Sequence, residues 1–200
     1  RLCYPNVIMH DRSVHFFGVS DIVEPVKEWK HAKYEITGRE WDYVFRRLFY
    51  AYTPDIKDQS FVQWLEIVNL DATAGHVWNN DIWLSLDGTV HLIWCEASMD
   101  ARLREQFFLN QDLMYCLKYM TIRDGEVQTC QTLKQICEQE DGRRPQSARF
   151  HILSDGTLII LASFVPNTPT SDQVVAYCLA EVPTEATDLN WVDVLFSCPF

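Results

Sequence analysis

Positive charge is scarce in this 200-residue chain: 17 Lys and Arg stand against 28 Asp and Glu, a formal net charge of −11. That balance argues against general nucleic-acid binding, which needs a basic footprint to displace counterions. It also disfavours anionic polymers wherever no local Arg cluster overrides the global field. Long apolar runs are missing too. The longest are strand-length, such as Leu158 to Ala162, so no transmembrane helix is written here. The seven Cys contain no Cys-x-x-Cys pair and no Cys/His series at zinc-finger spacing. There is no Gly-rich phosphate loop, no Gly-x-Ser-x-Gly elbow and no His-Glu-x-x-His. Nucleotide and zinc-protease chemistry are therefore not indicated, and no cofactor or metal is implied.

What is present is apolar and aromatic: 48% hydrophobic and 13% aromatic residues, enough for a sizeable core and too much for disorder. Three stretches repeat one pattern of an Asp, two turn-type residues and an alternating strand. They are Asp11-Arg12-Ser13-Val14-His15-Phe16-Phe17, Asp87-Gly88-Thr89-Val90-His91-Leu92-Ile93-Trp94 and Asp155-Gly156-Thr157-Leu158-Ile159-Ile160-Leu161, with the Asp residues 76 and 68 positions apart. Asp-Gly between alternating hydrophobics is a strong hairpin signal. A second repeat follows each: Leu48-Phe49-Tyr50, Leu117-Lys118-Tyr119 and Val175-Ala176-Tyr177.

A preceding strand (Asn6–His10, Asp81–Leu86, Arg149–Ser154) and a following one (Phe61–Leu70, Val127–Leu133, Trp191–Phe196) complete four strands per unit. Repeated four-stranded units of this length point to an all-β chain of the β-propeller class with three antiparallel blades, about 1–70, 76–136 and 148–200. Three blades cannot close a ring. The chain also starts in an apolar stretch and stops after a strand, so the reading is a single partial propeller domain, part of a five- to seven-bladed ring. Further blades of the same propeller, or a second copy, would then complete the ring.

The insertions are unequal. Ser20–Arg46, Glu96–Asp112 and Pro166–Asp172 lie between second and third strands, and Asp71–Asn80 and Lys134–Ala148 lie between blades. In a propeller these loops share one face, where binding residues concentrate. A short helix is expected after Pro25.

Three clusters there carry chemistry. Arg39-Glu40-Trp41-Asp42-Tyr43, running on to Arg46, mixes carboxylates, guanidinium groups and aromatic faces, as sugar sites do; a solvated loop anchored by two aromatics explains it equally. His76-Val77-Trp78-Asn79-Asn80-Asp81 offers a carboxylate and a base, or an Asx-type turn. Arg143, Arg144 and Arg149 enter the third blade, and Arg149 and Asp81 each precede their repeat Asp by six residues. They suit carboxylate recognition or a plain interblade ion pair.

Candidate catalytic residues are Glu40, Asp42, Tyr43, His76 and Asp81. Candidate binding residues are Arg46, Trp41, Trp78, Glu96, Arg143 and Arg149. His15 and His91, at equal repeat positions, read as core. Cys116, Cys130 and Cys178 read as small buried hydrophobes, with a Cys116–Cys130 bridge as the alternative.

The segments Leu86-Asp87-Gly88-Thr89-Val90-His91-Leu92-Ile93-Trp94 and Leu117-Lys118-Tyr119-Met120-Thr121-Ile122-Arg123-Asp124-Gly125 resemble the sialidase-like, or bacterial neuraminidase repeat, propellers. The family's Ser-x-Asp-x-Gly-x-Thr-Trp box is not present as written; Asp124-Gly125 sits where it would fall. The resemblance implies a carbohydrate-active propeller, a glycoside hydrolase or polysaccharide lyase with a glycan or oligosaccharide partner. A non-catalytic glycan- or protein-binding propeller is the alternative, and a secreted or periplasmic setting is implied. It implies no nucleic-acid or membrane partner.

Overall fold

The computed structural model describes residues 2–61, 64–167, 175–182 and 189–195. The described residues are all-β apart from two α-helices and two 3-10 turns (Asp71–Thr73 and Ala101–Leu103). Its strands are β1 (Leu2–His10), β2 (Ser13–Ser20), β3 (Ile22–Val23), β4 (Tyr43–Val44), β5 (Arg47–Thr53), β6 (Leu65–Asn69), β7 (His76–Leu84), β8 (Val90–Ala97), β9 (Met114–Arg123), β10 (Glu126–Cys137), β11 (Arg143–Ile152), β12 (Leu158–Pro166), β13 (Ala176–Glu181) and β14 (Val192–Val194). The helices are α1 (Lys27–Thr37) and the single turn α2 (Arg104–Phe107).

Three four-stranded sheets run β1-β2-β5-β6, β7-β8-β9-β10 and β11-β12-β13-β14, with β3 and β4 paired as a separate ribbon. Each sheet is a meander of sequence-consecutive strands, interrupted in the first by that ribbon and α1. This is the blade topology of a propeller. Two compact units are formed, residues 1–79 with 96–114, and residues 80–95 with 115–200.

The repeated turns behave as their residues require. Asp87 and Asp155 each accept the backbone N–H two residues on, from Thr89 and Thr157, both at 3.0 Å. Gly88 and Gly156 follow at φ 84° and 90°, a left-handed conformation that only Gly adopts without strain. Asp124-Gly125 has φ of 53° and 81°, a primed two-residue turn that matches strand twist and joins β9 to β10.

Several expected boundaries shift. The first strands start earlier, at Leu2, His76 and Arg143. Lys134–Ala148, expected as a long rim loop, is mostly strand, with only 138–142 between β10 and β11. β10 misled because Gln-Thr-Leu-Lys-Gln is polar; as an outer strand it buries only Leu133 and Ile136. The insertion at Pro166–Asp172 and the end of Trp191–Phe196 extend outside the described residues. The helix after Pro25 is α1, closed by Gly38 at φ 66° with its N–H on Tyr34 O.

No Cys116–Cys130 bridge forms. Neither is in a disulfide, and Cys116 Sγ faces Gln135 across the strand pair at 3.7 Å.

Tyr177 also departs from its expected repeat position. Tyr50 lies opposite Phe17, six residues after Asp11, whereas the residue opposite Leu161, six after Asp155, is Leu179. The second repeat is therefore offset by two residues in the third blade. In the first two blades the tyrosine bonds the repeat histidine: His15 Nδ1 shares a 2.8 Å hydrogen bond with Tyr50 Oη, and His91 Nδ1 a 2.6 Å bond with Tyr119 Oη. Both His are buried or half-buried and both Tyr are buried, so His15 and His91 are core residues. Burial lowers both imidazole pKa values and raises both phenol values.

Removing one hydroxyl leaves a buried ring nitrogen unpaired. Tyr50→Phe and Tyr119→Phe should each cost about 1–3 kcal/mol in urea unfolding. A loss under a few tenths for both would remove the pairs from the account of the core.

Candidate functional site

In the first unit the 20–46 insertion folds around one buried carboxylate. Glu24 follows β3 and its side chain is fully buried. Its N–H donates to Asp42 O at 3.0 Å, fastening the two ends of the insertion. Lys33 comes from the inner face of α1, with only 2% of its side chain exposed. Its ammonium reaches Glu24 Oε2 at 2.8 Å, Asp42 Oδ2 at 3.2 Å and Asp100 Oδ2 at 3.1 Å. Arg46, just before β5, donates to Glu24 Oε1 at 3.0 Å and lies 5.0 Å over the Trp29 ring. Arg102 donates to Asp42 at 2.8 Å and to Asp100 at 2.6 Å, while Asp100 caps the 3-10 turn at 101–103.

Three carboxylates thus meet three cations, and burying them is tolerable only because each is paired. Burial alone would raise the Asp100 and Glu24 pKa values. Hydrogen bonds from Arg102 and Lys33 outweigh it at Asp100, leaving about 2. Arg46 and Lys33 do the same at Glu24 and hold it below its usual range. Arg102 is raised, chiefly by its bond to Asp100.

Beside this network runs a line of aromatic rings. Tyr4 meets Phe45 at a tilt of 60° and 5.7 Å, Phe45 meets His76 edge-on at 5.4 Å, and His76 lies 4.2 Å from Trp78. Both ends are open: Tyr4 is 70% exposed and Trp78 42%. Tyr4 sits at φ 47° in the bulge between Cys3 and Asn6. A left-handed Tyr costs about 1–3 kcal/mol and needs external support. Asn79 supplies it, donating Nδ2 to Tyr4 O at 2.6 Å and to Asn6 Oδ1. Burial lowers the His76 pKa to about 4, against an opposing pull from Asp100 and Asp42. His76 is therefore neutral near pH 7.

The expected site residues fall into three groups. Asp42, His76 and Trp78 belong to this region. Trp41 (67% exposed) and Tyr43 (47%) flank Asp42, and Glu40 is exposed. Arg46 requires correction: it is 1% exposed, with both terminal nitrogens on Glu24 and its guanidinium over Trp29, so no ligand reaches it. Glu96 is half-buried.

Asp81, Arg143 and Arg149 lie in the second unit. Arg149 Nη1 donates to Asn80 O at 2.9 Å and to Asp81 Oδ1 at 3.4 Å, while Asp81 Oδ2 accepts Phe150 N–H at 2.9 Å. That is an interblade tie. Arg143 pairs with Asp193 at 2.9 Å.

Glu24, Lys33, Asp100, Arg102, Tyr4 and Phe45 were not singled out from the sequence. The Asp-x-Arg start of the 3-10 turn and the Trp29/Ala32/Lys33 helix spacing were the signals available.

No protein-family model matches the chain, and no curated protein matches it. Three solved structures are similar at low identity. Inulosucrase from Halalkalicoccus jeotgali bound to kestose has a TM-score of 0.47 and 13% identity, covering 93% of this chain and 48% of its own. The endo-arabinase from Bacteroides thetaiotaomicron has 0.44 and 14%, covering 95% and 59%. A thermostable family-43 glycoside hydrolase has 0.40 and 11%, covering 99% and 73%. This chain spans about half the length of the first two. None of the three is named as a sialidase, and likenesses this weak assign no activity.

Lys33→Met should cost about 3–5 kcal/mol, because it strands buried Glu24 and Asp100 charge. A denaturant curve shifted by under 1 kcal/mol would show the network to be incidental.

The histidines set a pH dependence. His15, His76 and His91 all have folded pKa values below the unfolded 6.5. Between pH 6.5 and about 4 the unfolded chain binds more protons, so stability is full above 6.5 and falls as pH drops through that window. The urea midpoint should drop from pH 7 to pH 5, and His76→Asn should flatten the slope. The paired carboxylates add their loss only at lower pH.

Proposed function

We propose that the first unit holds a glycan, with Tyr4, Trp78, Trp41 and Tyr43 as stacking surfaces and Asp42, Arg102 and neutral His76 as hydrogen-bonding groups. The observation that carries this reading is the strained, exposed Tyr4 held by Asn79 at one end of the ring line. Sugar faces are apolar and their edges polar, and they match aromatic rings set beside fixed polar groups. The mixture suits a carbohydrate-active protein of the propeller class.

Recognition is favoured over turnover at this place. A general acid needs a carboxyl that keeps its proton near neutral pH, and Asp100 is held at about 2 by its cations. Asp42 is paired with Lys33 and Arg102.

Titration calorimetry against a panel of neutral and acidic oligosaccharides tests the reading. Trp78→Ala and Trp41→Ala should each weaken binding about tenfold, or about 1.4 kcal/mol, with unchanged melting. A panel that gives no heat, or an affinity indifferent to both substitutions, would overturn it.

A further inference from the structure

A sugar that carries a carboxylate is held most firmly by an arginine fork, whose paired N–H groups match the two oxygens. Both forks of the network beside the ring line are already filled by the protein's own carboxylates. Arg46 Nη1 and Nη2 take the two oxygens of Glu24. Arg102 Nε and Nη2 take Asp100 Oδ1 at 2.9 Å and Oδ2 at 2.6 Å, and Nη2 also reaches Asp42. The third cation, Lys33, is buried among the same three acids. Arg143 and Arg149, which the sequence also offered for carboxylate recognition, lie in the second unit and pair there with Asp193 and Asp81.

Charge therefore cancels within the network: Glu24, Asp42 and Asp100 stand against Lys33, Arg46 and Arg102. Its most exposed members are Arg102 and Asp42, at 35% and 21% of the side chain, and they are bonded to each other. A ligand stacked on Trp41 or Tyr43, the chain neighbours of Asp42, meets an ion pair and not an open cation. Arg39 and Glu40, both exposed, are adjacent in the chain and offset one another. His76 is neutral near pH 7 and adds no positive charge. The chain's net charge of −11 works against an approaching anion as well.

On the glycan reading proposed above, we infer that the first-unit site takes uncharged oligosaccharides and discriminates against those bearing uronic or sialic carboxylates. To bind through the Arg102 fork, a ligand carboxylate has to displace Asp42 or Asp100, and the displaced acid is then lost to buried Lys33 as well. Otherwise it lies unpaired beside Asp42, where like charges are costly to bring together. A sugar hydroxyl meets neither obstacle, because it donates to Asp42 and accepts from Arg102.

Calorimetric titration with matched pairs tests this: galacturonate oligomers against their methyl esters, and sialyllactose against lactose. Where a pair binds, its neutral member should bind at least about tenfold more tightly than its acidic one. Raising salt from about 20 to about 500 mM should narrow that gap by screening the repulsion, with the neutral affinity unchanged. Asp42→Asn, which leaves Lys33 and Arg102 paired with Asp100, should narrow it too. A circular dichroism melt checks that this variant folds, and the salt series on the parent chain decides alone if it does not. Acidic members that bind as tightly as their neutral partners overturn the charge preference and leave the glycan reading standing. A gap indifferent to salt overturns repulsion as its cause. No heat from any member overturns both readings.

Discussion

A lysine ammonium withdrawn from water tolerates no missing partner, and the first unit is arranged around that demand. Lys33 has three carboxylates within 3.2 Å, drawn from the end of β3, the start of β4 and the loop after β8. Each would be costly to bury alone. The helix, the ribbon and the loop are therefore not separately movable: shifting one exposes or strands the charge of another. Trp29 and Arg46 seal the arrangement with aromatic and cationic surface.

On that fixed base the chain can hold a residue in a conformation it would not otherwise keep. Tyr4 is left-handed in a bulge and more than half exposed, and Asn79 binds its carbonyl from β7. Bulges re-aim side chains, and here the result is an open ring at the head of a line of four. The second unit shows the opposite use of similar material. Arg149 and Asp81 tie neighbouring sheets, and Arg143 is spent on Asp193. The same residue types lie beside open aromatic rings in the first unit, and give cohesion in the second, where a backbone donor claims the carboxylate.

The sheets were legible because each rests on a local signal. Asp-Gly turns and alternating apolar residues mark β8, β9 and β12 directly, and Pro25 and Gly38 bracket α1. β10 is legible only in part, because a strand with one exposed face and a polar composition carries little alternation to count. The site was less legible. Trp41, Asp42, His76 and Trp78 stand out by type, but Lys33 and Glu24 are ordinary residues in a charged helix and a loop. What makes them central is burial, and burial follows from contacts across nine to sixty-seven residues of chain. Arg46 misled for the same reason: a guanidinium in an aromatic-rich stretch looks available until its partner is seen.

The His–Tyr pair is missing from the third blade, which has Ile159 and Leu179 instead. In the first two blades a one-residue slip between second and third strands would break a buried hydrogen bond and strand two polar groups, so the pair acts as a register lock. The third blade has no such lock between β12 and β13. It does have the Ser147–Ser163 hydroxyl contact at 2.6 Å between β11 and β12 and the Asp155 turn. Its alignment is therefore fixed first between its first two strands, and β13 carries Leu179 where the other blades carry the paired tyrosine. At that one position the third blade can exchange one apolar side chain for another without stranding a buried imidazole, a freedom the first two blades lack.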